Sequence, residues 1–334
     1  MATMSDIAKA IGVSKTTVTN ALTGKSNVSE ATRKRILQYA HEMGYRPNEL
    51  ARSLAQGKTF TIGLILPSIA HPFYPELADA IENCARLSEY QTVLCNTHSI
   101  SALGGQQMDR LVSRWVDGCI IMERSMDLAD IIRHFQQKVP IVLCDWQEQQ
   151  TPPEIPLARG DFFRAGALAA RHLLEYGHQR VAVIVDEPGQ ILRLQGFCSV
   201  FAEAGITVSR EMMQQGYSTS ESGYHAAQIL LTLPERPTAI FATTDLMAIG
   251  AMEAIIDEGL RVPQDISIIG LDDLMVSSLL RPGLTSVAIP KDQLARNTME
   301  LLLAQINEDQ NGSVTRLVEP YLVLRQSTTF PRNP

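Results

Sequence analysis

The stretch Ser5-Asp6-Ile7-Ala8-Lys9-Ala10-Ile11-Gly12-Val13-Ser14-Lys15-Thr16-Thr17-Val18-Thr19-Asn20-Ala21-Leu22 decides how the chain begins. Ile7, Ala8 and Ile11 fall on one face of a short helix. Ser5 is its predicted cap, because a hydroxyl there can accept from free first-turn amides. Gly12 breaks that helix, Val13 plugs the turn, and Ser14 caps a second helix over 15–22. Val18, Ala21 and Leu22 point inward, leaving Lys15, Thr16, Thr19 and Asn20 outside. A third helix is predicted from a Ser29 cap through Met43 to a stop at Gly44, with Ile36, Leu37, Ala40 and Met43 inward. Two short helices joined by a glycine turn and closed by a third form a helix-turn-helix, an all-α head whose second helix enters the major groove of DNA. Lys15, Thr16 and Asn20 are then the base-edge candidates: Asn matches adenine, Lys reaches guanine acceptors, and Thr offers a methyl to thymine. Ser5, Ser14 and Thr17, beside helix N-terminal amides, suit phosphates. A small helical interaction domain is the alternative.

Charge favours the first reading once it is mapped. The chain of 334 residues has a net charge of −7, which taken whole argues against a nucleic-acid partner. Residues 1–60 nevertheless hold nine basic side chains against four acidic ones, so +5 sits on the first sixty residues and −12 on the other 274. A short basic end on a long acidic body fits a DNA-reading module joined to a different domain. Between them, Pro47 ends any earlier helix, Asn48 can cap a new one, and Gly57 stops it. Helices so short rarely hold alone, so this one is expected to order on DNA or against a partner copy, with Leu50, Ala51 and Leu54 as its apolar edge. A plain linker is the alternative.

From Thr59 onward, apolar runs alternate with amphipathic stretches. Thr61–Leu66, Gln91–Asn96, Asp117–Ile121 and Ile141–Asp145 form one series; Val181–Val185, Ala239–Thr243 and Ile266–Gly270 form a second after Pro152-Pro153. The pattern predicts an α/β body of two lobes, each a doubly wound parallel sheet, with a ligand in the crevice at the strand C-termini. Ser68, Asp145, Trp146, Thr244, Asp245 and Asp272 stand at strand ends, and Phe73 and Arg193 on following segments. Carboxylates and a guanidinium for hydroxyls, with aromatic faces for a ring, make a sugar-binding set. Glu221 and Asp245 could equally be helix caps. His71 and His225 are the histidines placed to reach a ligand.

Enzyme signatures are missing from the sequence. The phosphate-cradling and hydrolase spacings are absent, and Asp272-Asp273 on an extended backbone would point to opposite sides. One of the two is expected to bind a hydroxyl and the other to be structural. Five cysteines (Cys84, Cys95, Cys119, Cys144, Cys198) lack CxxC spacing and read as buried hydrophobes, so no metal and no cofactor is expected. The start has neither a basic leader nor an apolar segment, and a cytoplasmic protein is expected.

The runs Asp6-Ile7-Ala8, Gly12 to Thr19, Val28 to Arg33 and Gly44 to Asn48, with Ala51-Arg52-Ser53-Leu54 after them, resemble the lactose/galactose repressor family of bacterial transcription regulators. Phe73-Tyr74, Cys144-Asp145-Trp146 and Val262 to Asp265 look most like its ribose and purine repressor branch. The resemblance implies a head over 1–46, a hinge helix and linker over 47–58, and a periplasmic-binding-protein-like core over 59–330. It also implies crossings near 160, 288 and 320, giving lobes of about 59–159 with 289–319 and about 160–288 with 320–330. Leu54 becomes the minor-groove wedge, with Ala55 where purine-type hinges carry Lys; Asn20 stands where His or Arg is common. Arg193 and Asp272 become effector contacts, Phe73 stacks on a ring, and Thr244 stands where the branch has Asn. Purine repressors have an aromatic near Ser218, so a sugar or sugar acid is favoured over a nucleobase. The expected protein is a repressor that binds double-stranded, pseudo-palindromic operator DNA. Ser327 to Pro334 carry no leucine heptads, so a homodimer is expected rather than a tetramer. A transporter's solute-binding protein and a sugar-processing enzyme with an added head are the rivals; the basic head speaks against the first and the missing catalytic set against the second.

Overall fold

A computed structural model describes residues 2–22, 27–45, 57–114, 116–146, 152, 154–186, 189–308 and 314–332. The segment expected to form a hinge helix, with Leu50 and Leu54, lies outside the described residues. The chain divides into two compact units, Met1–Thr59 and Phe60–Pro334.

The first unit has three helices, α1 (Met4–Ile11), α2 (Lys15–Leu22) and α3 (Glu30–Glu42). Thr3, not Ser5, caps α1. Asp6 lies three residues beyond Thr3, and its carboxylate accepts from the Thr3 amide (2.9 Å) and hydroxyl (2.7 Å) while Thr3 Oγ1 accepts from the Asp6 amide. That reciprocal box satisfies amides that Ser5 alone could not reach. Ser14 and Ser29 cap α2 and α3 by accepting from the amides of Thr17 and Thr32. Ile7, Ala8, Val18, Ala21, Ile36 and Ala40 form the core. Leu37 and Met43, expected inside, are 47% and 37% exposed. Three helices this short bury only a narrow stripe, and Ile36 with Ala40 already fills it on α3.

The second unit holds two six-stranded sheets. Lobe 1 uses β1 (Thr61–Leu66), α4 (Phe73–Leu87), β2 (Gln91–Asn96), α5 (Ser101–Ser113), β3 (Gly118–Ile121), α6 (Leu128–Gln136), β4 (Ile141–Cys144) and β5 (Leu157–Gly160). Lobe 2 follows with α7 (Phe162–Glu175), β6 (Val181–Val185), α8 (Ile191–Glu203), β7 (Met213–Gln215), α9 (Ser220–Thr232), β8 (Ala239–Ala242), α10 (Asp245–Asp257), β9 (Ser267–Leu271) and β10 (Thr285–Ala288). The chain then returns to lobe 1 for α11 (Lys291–Ile306) and β11 (Thr315–Val318), and ends in lobe 2 with β12 (Tyr321–Val323). The orders are β11-β5-β4-β3-β1-β2 and β12-β10-β9-β8-β6-β7. All pairings are parallel except β12 with β10.

Burial on both faces explains the continuous apolar runs. On β1, Ile62, Leu64 and Leu66 join the core shared with α4 and α11, while Ile65 joins Met108, Leu111 and Ile131 on the other face. On β6, Val181, Val183 and Val185 pack with Phe162, Phe197 and Phe201; Ala182 and Ile184 pack with Leu230 and Met247. Two helix pairs in lobe 2 touch backbone to backbone. A Cβ on Gly166 of α7 would overlap the Arg193 carbonyl of α8, and one on Gly196 would overlap the Phe163 carbonyl. Gly223 and Gly250 bring α9 and α10 together in the same way. Among the described residues no helix is long and apolar enough to cross a membrane.

Candidate ligand cleft and DNA-reading face

Strand-end loops at the C-terminal side of both sheets open on one cavity of about 780 Å³. Lobe 1 contributes Ser68 after β1, His71 to Tyr74 at the start of α4, Ser99 after β2, Glu123 to Ser125 after β3, and Asp145 after β4. Lobe 2 contributes Asp186 and Gly189, Gln190 and Arg193 after β6, Tyr217 to Ser220 after β7, Thr244 after β8, and Asp272 after β9. This is where open parallel sheets bind ligands. A second cavity of about 480 Å³, lined by Arg180, Thr207 and Thr238 among others, sits at the opposite strand ends of lobe 2 and holds none of the predicted residues.

Arg193 and Asp272 form the ionisable centre of the cleft. Both are nearly buried, at 3% and 2% exposed, with Nη1 and Oδ1 3.6 Å apart. Arg193 also donates to the Thr243 carbonyl and lies over the Phe162 ring at 4.8 Å. Burial pushes the Asp272 carboxyl up to about 8, against the pull of Arg193. A carboxyl raised this far gains a protonated form near neutrality, which donates as well as accepts and so matches a hydroxyl. Beside it, burial and the Arg193 charge push His71 down to about 4, so its imidazole is neutral. His71, Tyr74 and Phe73 pack edge to face in sequence, with centroids 5.5 Å apart. Phe73 lines the cavity but is largely covered, and the Lys291 ammonium lies 5.6 Å from its centroid; Tyr74 is the less buried ring.

Asp145, Ser218 and Asp272 line the cavity with φ of +56°, +55° and +118°. Residues without glycine's freedom hold such conformations only where their surroundings dictate them, and these cluster at ligand clamps. Ser218 is braced by Asp186, to which it donates (2.9 Å), and by Gln190, from which it accepts (3.0 Å); Gln190 accepts in turn from Thr243. Glu123 accepts from Thr97 and from the Ser125 amide and hydroxyl. Arg124 reaches from lobe 1 to donate to the Gly189 carbonyl of lobe 2 at 3.1 Å.

Of the residues expected around a ligand, Ser68, Phe73, Asp145, Arg193, Thr244 and Asp272 line this cavity. Trp146 does not. It is fully buried among Ile65, Ile121, Leu143 and Ile155, because the left-handed turn at Asp145 carries the next side chain under the sheet. Asp245 is neither cap nor lining. Thr244 caps α10 by accepting from the Met247 amide, and Asp245 is sealed inside, accepting from Leu274 N, Ser277 Oγ and Ser286 Oγ. Thr219 rather than Glu221 caps α9. Asp272 and Asp273 are not extended, since both have positive φ, and Asp273 pairs with Arg325 at 2.6 Å. His71 lines the cavity; His225 is exposed and bonds Gln228. Sequence reasoning passed over Tyr74, Glu123, Arg124, Asp186 and Gln190. A stricter use of the strand-end rule would have found Glu123, Arg124 and Asp186, which lie within three residues of the ends of β3 and β6.

In the first unit, Lys15 and Thr16 are exposed on the first turn of α2, Asn20 is half-buried one turn on, and Ser5 is exposed on α1. Ser14 and Thr17 share a hydroxyl bond of 2.9 Å at the α2 N-terminus. Thr19 turns back to its own helix, donating to the Lys15 carbonyl. The exposed face thus offers a cation, hydroxyls and an amide beside a positive helix end, the complement of base edges and phosphates.

Residues 3–48 match the bacterial regulatory proteins of the lacI family, and residues 170–328 match a periplasmic binding protein-like domain. The HTH-type transcriptional repressor PurR of Proteus mirabilis is 36% identical over 343 residues, covering 98% of this chain and 97% of its own. Among solved structures, the lac repressor dimer bound to operator and the anti-inducer ONPF superposes with a TM-score of 0.87 at 28% identity, over 98% of this chain and 99% of that one. A LacI family transcriptional regulator from Enterococcus faecium with bound ribose gives 0.73 at 28% identity, over 81% and 100%. Matched along nearly its whole length, the chain belongs to the lacI family of bacterial regulatory proteins, and it is a DNA-binding transcriptional repressor rather than an enzyme.

Proposed function

We propose that this repressor works in the cytoplasm as a homodimer on a pseudo-palindromic operator, and that a small sugar or sugar acid in the interlobe cleft controls it. Lys15, Thr16 and Asn20 read base edges, Ser5, Ser14 and Thr17 hold phosphates, and Leu54 wedges into the central minor groove. The observation that carries the effector reading is the lining: hydroxyls of Ser68, Ser125, Ser218 and Thr244 converge with Asp145, Asp186, Asp272, Arg124 and Arg193. Such a wall offers paired donors and acceptors to a ring of hydroxyls. The resemblance to purine repressors implies an aromatic near Ser218, and Ser218 itself offers a hydroxyl in its place. A nucleobase is the second reading; it draws on the likeness to repressors named PurR and on Tyr217, which lines the cavity while 69% exposed.

A thermal-shift panel of pentoses, hexoses, sugar acids and purines decides between them. A true effector at a hundred times its Kd stabilises by about 2.7 kcal/mol. A shift with purines alone would reverse the assignment. For the head, replacing Asn20 or Lys15 by Ala is expected to cost about 1–3 kcal/mol of discrimination for each good bidentate base pairing it removes. Operator selection from a random pool checks this, and an unchanged consensus would refute the groove assignment.

A further inference from the structure

We propose that Lys291, braced by Glu76, positions Asp272 and ties the two lobes together across the cleft. Lys291 opens α11, directly after the chain returns to lobe 1, yet its ammonium reaches back to lobe 2. It donates to the Asp272 carbonyl at 2.7 Å and the Asp273 carbonyl at 3.1 Å. Its third donor meets Glu76 Oε2 of α4 at 3.0 Å, and Glu76 Oε1 accepts from the Met275 amide of lobe 2 at 3.1 Å. An ammonium has three protons, and this one directs all three at acceptors. Asp272 and Asp273 are consecutive residues at φ +118° and +47°, a backbone that persists only when neighbours hold it. Lys291 and Glu76 together fix both ends of the segment 272–275, and both belong to lobe 1. Moving the lobes apart would draw these partners away and free the backbone that aims the Asp272 carboxyl. By linkage, a ligand that engages Asp272 then favours the joined arrangement, and the joined arrangement favours the ligand. The inference rests on the cleft being the effector site.

The test uses the full chain with Lys291→Met, which keeps an unbranched side chain of similar length but removes the ammonium, and Glu76→Gln, which keeps an acceptor for Met275 but removes the charge. Without ligand, amide exchange over residues 272–277 should quicken roughly tenfold in Lys291→Met while β6 and β8 stay protected. Lys291→Arg should restore part of the protection. Unchanged exchange in both variants would overturn the proposal. With D-ribose, D-gluconate and hypoxanthine as probes, any that stabilises the parent should bind Lys291→Met roughly tenfold more weakly. Retained affinity would also overturn it. Arg193→Ala separates the two layers: parent-like probe affinity there refutes the cleft as effector site, and the ligand-free exchange then judges Lys291 alone.

Discussion

Lobe 2 backs one cleft residue, Arg193, with helices pressed into backbone contact, whereas lobe 1 presents its cleft residues from loops and from the first turn of one helix. In lobe 2, Gly166 and Gly196 let α7 and α8 touch, so Arg193 is locked to its neighbour's main chain. Asp272 beside it is sealed, and Asp245 is tied to three donors behind it. In lobe 1, Ser68 lies on a loop, where its hydroxyl accepts from the Ala70 amide, and Arg124 spans the cleft to a carbonyl. The same sheet order thus sets a helix-backed Arg193 opposite a wall drawn from loops. A binding protein that must select a ligand and still move can divide those tasks between its halves.

The largest expected effect is on ligand response. Arg193→Ala should abolish ligand-induced stabilisation while operator binding persists, because the Asp272 left behind can stay protonated rather than stand as a bare buried charge. Ser68→Ala in lobe 1 should cost only about 1 kcal/mol, the worth of one hydrogen bond. Calorimetric titration with whichever sugar the thermal panel selects compares the two, and equal losses would erase the distinction between walls.

Packing comes next. Gly166→Ala must force α7 from α8, an overpacking cost of about 1–3 kcal/mol or more. Gly105→Ala in α5 of lobe 1 meets only the Asp130 carboxylate at 2.6 Å, the end of a half-exposed side chain that can turn away. There the helix preference for Ala, about 1 kcal/mol, should leave stability level or raised. Urea midpoints of the two variants settle the order.

The smallest effect is expected in acid. His172 on α7 bonds the Thr328 hydroxyl at 2.9 Å, and His178 contacts Thr238 Oγ1 and the Thr329 carbonyl, pinning the last described segment to lobe 2. Burial holds His172 down at about 4 and lowers His178. A depressed histidine contributes fully above the ordinary imidazole value of about 6.5 and loses that contribution as pH falls. His172→Gln should therefore lose less stability than the parent between neutral pH and about 4. Denaturant midpoints across that range would show it, and parallel curves would remove His172 from the acid limb.

How much of this was readable beforehand depended on whether the signal was local. Thr61–Leu66 and Gln91–Asn96 begin and end where their apolar runs do. β7 and β11, three and four residues long at sheet edges and half-exposed, owe their conformation to a neighbour's register and gave no run to read. Thr3 displaced Ser5 as a cap because a reciprocal partner mattered more than proximity to the apolar face. At the cleft, Arg193 and Asp272 could be located because each follows a legible strand. Trp146 could not, since one left-handed residue reversed where it points. Gly166 and Gly196 lie thirty residues apart, and only the packed helices show that they face one another.

The two returns of the chain near its end have a consequence for how the protein is made. β11 supplies an edge strand of the lobe 1 sheet and β12 one of the lobe 2 sheet, so neither lobe is whole until its own late segment is available. Synthesis runs from the N-terminus, and early domains commonly fold while later ones are still emerging. These lobes cannot take turns. Until residues 315–323 leave the ribosome, β5 and β10 are open edges, the kind of surface that recruits foreign strands. A premature stop before residue 315 would therefore spoil both halves together and leave a nascent chain exposed to aggregation.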